Sequence, residues 1–214
     1  MDDQSMCILL AGCGGQGVLT AAQVLTGLFA KKGREVVSGQ LHCMAQRGGC
    51  VQSFVKVDRG ASPAVAAGGA DVVLGLEPME TLRALPFFAP GATVFMNTAV
   101  VLPFVISQDA VRGREAPGYP EMAVISHHIY AVTRHLFAFD ATHVAEQAGS
   151  AAAVSTVMLG CLAGSGRLDE SEEAFLAAVE SGTPGKLAEV NTRAFLAGVE
   201  RGRAFRAVGG VRCP

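Results

Sequence analysis

The chain has 214 residues, a formal net charge of -2 and charged side chains at only 17% of positions. That length bounds one substantial α/β core and hardly two, and a near-neutral chain has no broad basic field with which to hold nucleic acid. Half of the residues are hydrophobic while soluble domains ordinarily carry ~25% charge, so part of the surface is expected to be covered by another chain, in a homo- or hetero-oligomer.

No run reaches the roughly 18 uninterrupted apolar residues of a membrane helix; the longest candidate, Val94 to Ile106, is broken by Asn97, Thr98 and Pro103. The start, Met1-Asp2-Asp3-Gln4, is acidic rather than the basic lead-in of a signal peptide. A cytoplasmic protein is expected. The six cysteines (Cys7, Cys13, Cys43, Cys50, Cys161, Cys213) contain no CxxC, so they read as free thiols rather than as ligands of an iron–sulfur cluster or zinc.

In chain order, a short apolar run from Cys7 to Ala11 enters Gly12-Cys13-Gly14-Gly15-Gln16-Gly17, and a helix pattern follows with Val18, Ala21, Ala22, Leu25, Leu28 and Phe29. Strand, glycine turn and helix in that order let the backbone turn tightly and offer the helix N-terminus to an anion, usually a phosphate. A tight turn without a ligand fits the same residues. Lys31-Lys32-Gly33 closes the helix with cations and a glycine. The second strand, Arg34 to Ser38, carries no acid at its tip, where Ser38-Gly39-Gln40 follow, and a nicotinamide dinucleotide fold would place one there for the ribose.

After an irregular stretch, Gly39 to Gly49, an alternating run from Val51 to Val57 predicts a third strand, and Val72 to Leu76 one buried on both faces. Glu77-Pro78 is expected to start a helix through about Leu85, with strands at Thr93 to Asn97 and Met122 to Ser126. Pro103 to Pro120 reads as an exposed excursion. The C-terminal third reads as helical: Asp169 and Glu172 resemble a capping box ahead of Phe175, Leu176 and Val179, and Thr183-Pro184 caps a last helix with a stripe of Leu187, Val190, Ala194, Phe195, Gly198, Val199 and Phe205. Residues 208–214 read as a flexible tail. The expected fold is a single Rossmann-like α/β domain over residues 1–207, its parallel or mixed sheet covered by helices on both faces.

The stretch from Ser38 to Gly49 is too polar and too rich in glycine to fill a core, and it leaves the edge of the sheet where open α/β folds bind ligands. Arg47 can pair with a carboxylate or phosphate, Gly48-Gly49 allow an anion-accepting nest, and His42 and Gln46 can orient the same ligand. Taken singly, Arg47 also fits a solvated surface residue and His42 a satisfied loop histidine. His127, His128, His135 and His143 lack an ordered ligand set and read as structural. No GxSxG elbow is present, which removes the common hydrolase reading, and Met158 and Leu159 read as core.

Together, Gly12-Cys13-Gly14-Gly15-Gln16-Gly17 and His42-Cys43-Met44-Ala45-Gln46-Arg47-Gly48-Gly49 resemble the gamma domain of the 2-oxoacid:ferredoxin oxidoreductases, and the second motif is most similar to indolepyruvate-type beta subunits. Asp71 to Pro78 and Asn191-Thr192-Arg193-Ala194-Phe195 extend the resemblance over almost the whole chain. Ser155 is a departure, because relatives commonly carry Asn there. The resemblance implies an enzyme that decarboxylates a 2-oxoacid on thiamine diphosphate, sends two electrons through iron–sulfur clusters to ferredoxin and releases an acyl-CoA. This chain has neither a Gly-Asp-Gly signature nor ferredoxin-type cysteine spacing. Those cofactors are therefore expected on a large partner subunit, with no cofactor on this chain alone, no catalytic residue of its own and no activity without the partner. The residues expected to hold substrate or the CoA phosphates are Gly12, Gly14, Gly15, Gln16, Gly17, His42, Gln46, Arg47, Gly48 and Gly49. The alternative is a stand-alone nucleotide- or CoA-binding regulatory module.

Overall fold

Strand β1 (Met6–Cys13) is buried at every position, which is what a strand flanked on both edges and covered on both faces requires of its side chains. The computed structural model describes residues 5–42, 49–101, 118–183, 185, 187–207 and 209. Helix α1 (Val18–Lys31) follows β1 directly, then β2 (Val36–His42), β3 (Cys50–Val57), β4 (Ala70–Gly75), α2 (Pro78–Arg83), a 3₁₀ turn at Leu85–Phe87 and β5 (Phe88–Asn97). After these come α3 (Met122–Tyr130), β6 (His135–Phe139), α4 (Ala141–Ala148), α5 (Val154–Gly164), α6 (Glu172–Gly182) and α7 (Ala188–Ala207).

The strands form one six-stranded mixed sheet in the order β2-β3-β1-β4-β5-β6. Strands β1, β4, β5 and β6 are parallel, and β3 runs antiparallel to both β1 and β2. Alternate residues of β1 feed two cores. Ile8 and Leu10 pack with α1, α5, α6 and α7, while Leu9 and Ala11 pack with Phe54, Phe88 and the Ile125 and Ile129 side of α3. The doubly covered sheet and helical C-terminal third agree with the sequence reading.

Several boundaries differ, each for a local reason. Met122 to Ser126 is the start of α3 and not a strand: Ile125, Ser126 and Ile129 are buried, and that spacing belongs to a helix, whereas a short apolar run viewed alone does not separate the two states. The strand next to α3 is β6, whose five residues, His-Leu-Phe-Ala-Phe, escaped the sequence reading. Strand β2 continues through Gly39–His42, held by the antiparallel ladder to β3, so the first part of the expected irregular stretch is sheet. Helix α2 ends at Arg83 and gives way to the 3₁₀ turn. The cap of α6 is Ser171, which accepts from Ala174 N, rather than Asp169. Thr183 closes α6 by donating its backbone N–H to Val179 O, so it does not open α7, and Leu187 is 53% exposed. Most of the Pro103 to Pro120 excursion and of the tail lies outside the described residues.

Helix α5 is buried at all eleven positions because it lies between the sheet and α7. Four glycines set that contact. A Cβ on Gly198 would stand 2.1 Å from Val157 O, one on Gly160 2.1 Å from Phe195 O, and those on Gly202 and Gly164 would meet Cys161 O and Val199 O at 2.1 and 2.2 Å. The two backbones touch, so no side chain fits between them. Gly198→Ala is therefore expected to destabilise the fold by ~2 kcal/mol or more, in the range of overpacked cores, and to lower Tm by ~5 °C or more. Gly27→Ala in α1, where an added Cβ meets nothing within 4 Å, is expected to raise stability by ~0.5–1 kcal/mol. Thermal unfolding of the two variants checks the opposite signs.

Candidate functional site

Because β1, β4, β5 and β6 are parallel, their C-terminal ends share one edge of the sheet, the edge at which open α/β folds place ligands. The glycine turn leaves β1 there. Gly15 and Gly17 adopt φ of 101° and 80°, in the region where a side chain is strained. Gly12 is small for a different reason: a Cβ would come within 2.9 Å of Gln16 Oε1, 3.0 Å of Leu76 and 3.1 Å of Val18, so it sets the close approach of strand, turn and helix.

The antiparallel register of β3 joins the two sequence motifs. His42 ends β2 opposite Val51, and Cys50 starts β3 opposite Cys13. Gly49 is buried beside the turn, and its carbonyl accepts the N–H of Gly14 at 3.0 Å. Gly12, Gly14, Gly15, Gln16, Gly17 and Gly49 thus share one locus, with the backbone of His42 at the same end of the sheet. Gln46, Arg47 and Gly48 lie outside the described residues. Gln16 has a defined position: its Oε1 accepts from Cys13 N at 2.7 Å and its Nε2 donates to Leu76 O at 2.9 Å. Both ends of its amide hold the turn together, so Gln16 shapes the site through backbone rather than by presenting a free amide.

Sequence reasoning missed the polar residues around this edge. Asn97, at the end of β5, is fully buried. Its Nδ2 donates to Leu76 O and Thr142 Oγ1 at 2.9 and 3.0 Å, and its Oδ1 accepts from Ala99, Ala141 and Thr142 N–H groups. Glu77 caps α2, accepting Glu80 N at 2.9 Å through Oε2 and the Tyr119 hydroxyl through Oε1, while Tyr119 accepts Met79 N at 3.0 Å. Glu80 is 3% exposed; Oε1 pairs with Arg83 at 2.7 Å, and among the described residues the buried Oε2 has no partner. The visible signal was an acid at a strand end just before proline, which marks a cap but not its burial.

Cys13 Sγ and one carboxylate oxygen each from Glu77 and Glu80 lie within 4.8 Å of one another. Burial, followed by the charges of Glu77 and Glu80, pushes the Cys13 thiol up to about 12, so it stays protonated at neutral pH. With Glu77 spent on a cap and a tyrosine and Glu80 on Arg83, this set reads as a hydrogen-bonded acid cluster that fixes the start of α2 against the glycine turn. Among the described residues, Cys7 and Cys13 lie on β1 and form no disulfide, and the equally unbridged Cys161 sits in α5. His127 and His128 lie on α3, His135 on β6 and His143 on α4.

The sequence pattern of the pyruvate ferredoxin/flavodoxin oxidoreductase family matches residues 7–201. The chain belongs to this family. The indolepyruvate oxidoreductase subunit IorB of Archaeoglobus fulgidus is 31% identical over 89% of this chain and 92% of its own length. Among solved structures, the gamma subunit of a keto/oxoacid ferredoxin oxidoreductase from Geobacter sulfurreducens superposes with a TM-score of 0.64 at 22% identity, over 93% of this chain and 99% of that one. The 2-oxoglutarate:ferredoxin oxidoreductase of Magnetococcus marinus, solved with 2-oxoglutarate, coenzyme A and succinyl-CoA bound, gives 0.65 at 17% identity over 95% of this chain and 32% of that one. These likenesses establish the fold as that of the family's gamma module.

Burial raises the carboxyl of Glu77 above its ordinary value of 4.5, against the opposing hydrogen bonds from Tyr119 and Glu80. The unfolded chain loses that proton near 4.5 and the folded chain at higher pH, so Glu77 costs stability as pH rises through the window between the two values. Glu77→Gln removes the titration and leaves a pH-independent offset from one lost acceptor. The Tm of Glu77→Gln minus that of the wild type is expected to increase as pH rises from about 4.5, the ordinary carboxylate value, and then to level off. A flat difference across that range would mean that Glu77 titrates normally.

Proposed function

We propose that this chain is the small, cofactor-free subunit of an aryl-type 2-oxoacid:ferredoxin oxidoreductase, acting on indolepyruvate or a related aryl pyruvate. The observation that carries the reading is the match to the family over residues 7–201, a range that spans both motifs, with IorB relatives covered over almost their full length. The same full-length match leaves a stand-alone regulatory module without support. Thiamine diphosphate supplies the decarboxylation chemistry and iron–sulfur clusters the electron path to ferredoxin, both on a large partner subunit.

In this reading the present chain binds and aligns. The glycine turn offers backbone N–H groups at the N-terminus of α1, with Gly49 buried beside it, and the role given to Arg47 is to pair its guanidinium with a CoA phosphate or the substrate carboxylate. A surface for the partner is also at hand. Among the described residues, β2 is an edge strand of the sheet, Leu41 on it is 54% exposed, and a cavity of about 450 Å³ lined by Leu41, Phe54, Pro63, Val65 and Phe87 runs beside it. An edge strand with an apolar groove is a liability in an isolated chain and is blunted when another subunit covers it.

Co-expression with the large subunit, followed by assay against indolepyruvate, phenylpyruvate, pyruvate and 2-oxoglutarate, tests the proposal: CoA-dependent ferredoxin reduction is expected, fastest with the aryl substrates. A chain that persists as a lone oligomer and never supports turnover would overturn it. Arg47→Lys retains charge but loses paired hydrogen-bond geometry. It is expected to change stability by no more than ~0.5 kcal/mol while raising KM for CoA or 2-oxoacid, or weakening association with the partner; a lowered Tm with unchanged kinetics would make Arg47 structural.

A further inference from the structure

The first turn of α1 has no cap of its own. Its N-cap is Gly17, which carries no side chain to accept a hydrogen bond, and no acid stands in the first turn. Ala21 N donates to Gly17 O at 2.9 Å, so the N–H groups of Val18, Leu19 and Thr20 precede the helical ladder and need an acceptor from outside it. Gly17 and Thr20, at the two ends of that turn, line a cavity of about 200 Å³ between α1, α5 and α7.

Three buried polar side chains, Ser155, Thr156 and Asn191, line the same cavity. Ser155, on α5, is 5% exposed, yet among the described residues its hydroxyl has no hydrogen-bond partner. Its Oγ lies 2.5 Å from the point where a Gly17 Cβ would stand, which places it against the start of α1. Asn191, on α7, is 8% exposed and accepts from Thr156 Oγ1 at 3.3 Å through Oδ1; this contact orients the amide and leaves Nδ2 unspent. Among the described residues, no carboxylate lines the cavity. Unspent donors, a positive helix end and no competing acid select an anion with several acceptor oxygens.

We propose that this cavity binds a phosphate monoester. Its oxygens accept from the first-turn N–H groups of α1, the Ser155 hydroxyl and the Asn191 amide, and the carbon of the ester rests against Ala153 and Val190. The volume exceeds one phosphate, so there is room for the first atoms of the esterified group. This deepens the reading above in one respect, that the glycine turn faces an anionic ligand, and adds α5 and α7 to the site.

The test uses the full-length chain by itself, with ³¹P NMR and calorimetric titration of inorganic phosphate, adenosine 3′-phosphate, CoA and dephospho-CoA, and acetate as the anion control. Saturable binding of phosphate or adenosine 3′-phosphate, with acetate much weaker, is expected. Ser155→Ala is expected to weaken phosphate by about tenfold, as loss of one hydrogen bond to a charged group does. The variant's ligand-free Tm should stay at the wild-type value, because among the described residues the hydroxyl has no hydrogen-bond partner; Asn191→Leu provides a second variant with the same expected loss. CoA binding tighter than dephospho-CoA in the wild type but equal in Ser155→Ala assigns the monoester to CoA, whereas binding of inorganic phosphate alone assigns it to free phosphate. Absence of saturable binding, equal affinity in wild type and both variants, or acetate binding as tightly as phosphate would overturn the proposal. Loss of phosphate binding leaves turnover of the complex as a separate result, and a chain that binds phosphate but never supports turnover would sink the enzyme reading alone.

Discussion

The carbonyl of Leu76 is the point on which the ligand edge of this protein depends. It accepts from Gln16 Nε2 and from Asn97 Nδ2, both at 2.9 Å, while Leu76 N donates to Ala11 O at 2.7 Å. One residue past the end of β4 therefore ties together the ends of β1, β4 and β5. Inside a protein such groups must be paired or they cost the full desolvation of a polar atom, and Asn97, fully buried, reaches the start of α4 as well. The glycine turn is rigid because its neighbours across the sheet are fixed by the same buried amides.

Behind that edge, the helical layer is set by what is missing from its side chains. Backbone contact between α5 and α7 at four glycines places Ser155, Thr156 and Asn191 deep between the helices, where bulkier residues at the crossing would have held them apart. Close packing and site geometry are thus the same constraint. Across the sheet, Glu77, Glu80 and Cys13 form a buried acidic corner under the turn, and burial keeps both the thiol and the Glu77 carboxyl toward their neutral forms.

The position of β3 separates this chain from a dinucleotide-binding fold more firmly than the missing acid does. In the Rossmann arrangement the second strand lies parallel beside the first. Here β3 is inserted antiparallel between β1 and β2, so the tip of β2 is moved one strand outward from the glycine turn. The strand that fills the gap delivers Gly49 to Gly14. The low charge and high apolar content of the chain go partly into the two cores and partly into the open β2 edge.

What the sequence determined by itself was local and periodic. The strand–glycine–helix order at residues 7–29, the alternation of β3, the buried run of β4 and proline in the first turn of α2 are written in spacing and backbone preference, and they stand in the structure within a few residues. The short segments were less legible, as Met122 to Ser126 and His135–Phe139 illustrate, because five apolar residues satisfy a strand and a helix turn equally. Only the tertiary structure decided what those elements put side by side. Residues 21 positions apart or more in the chain have no local signal for one another: Asn97 with Leu76 is set by the parallel register, Gly14 with Gly49 by an antiparallel strand, and Gly17 with Ser155 and Asn191 by glycines that let two helices touch. Periodicity reports which face of an element is apolar, whereas the partner that face meets is chosen by packing and by the pairing of buried polar groups across the whole chain.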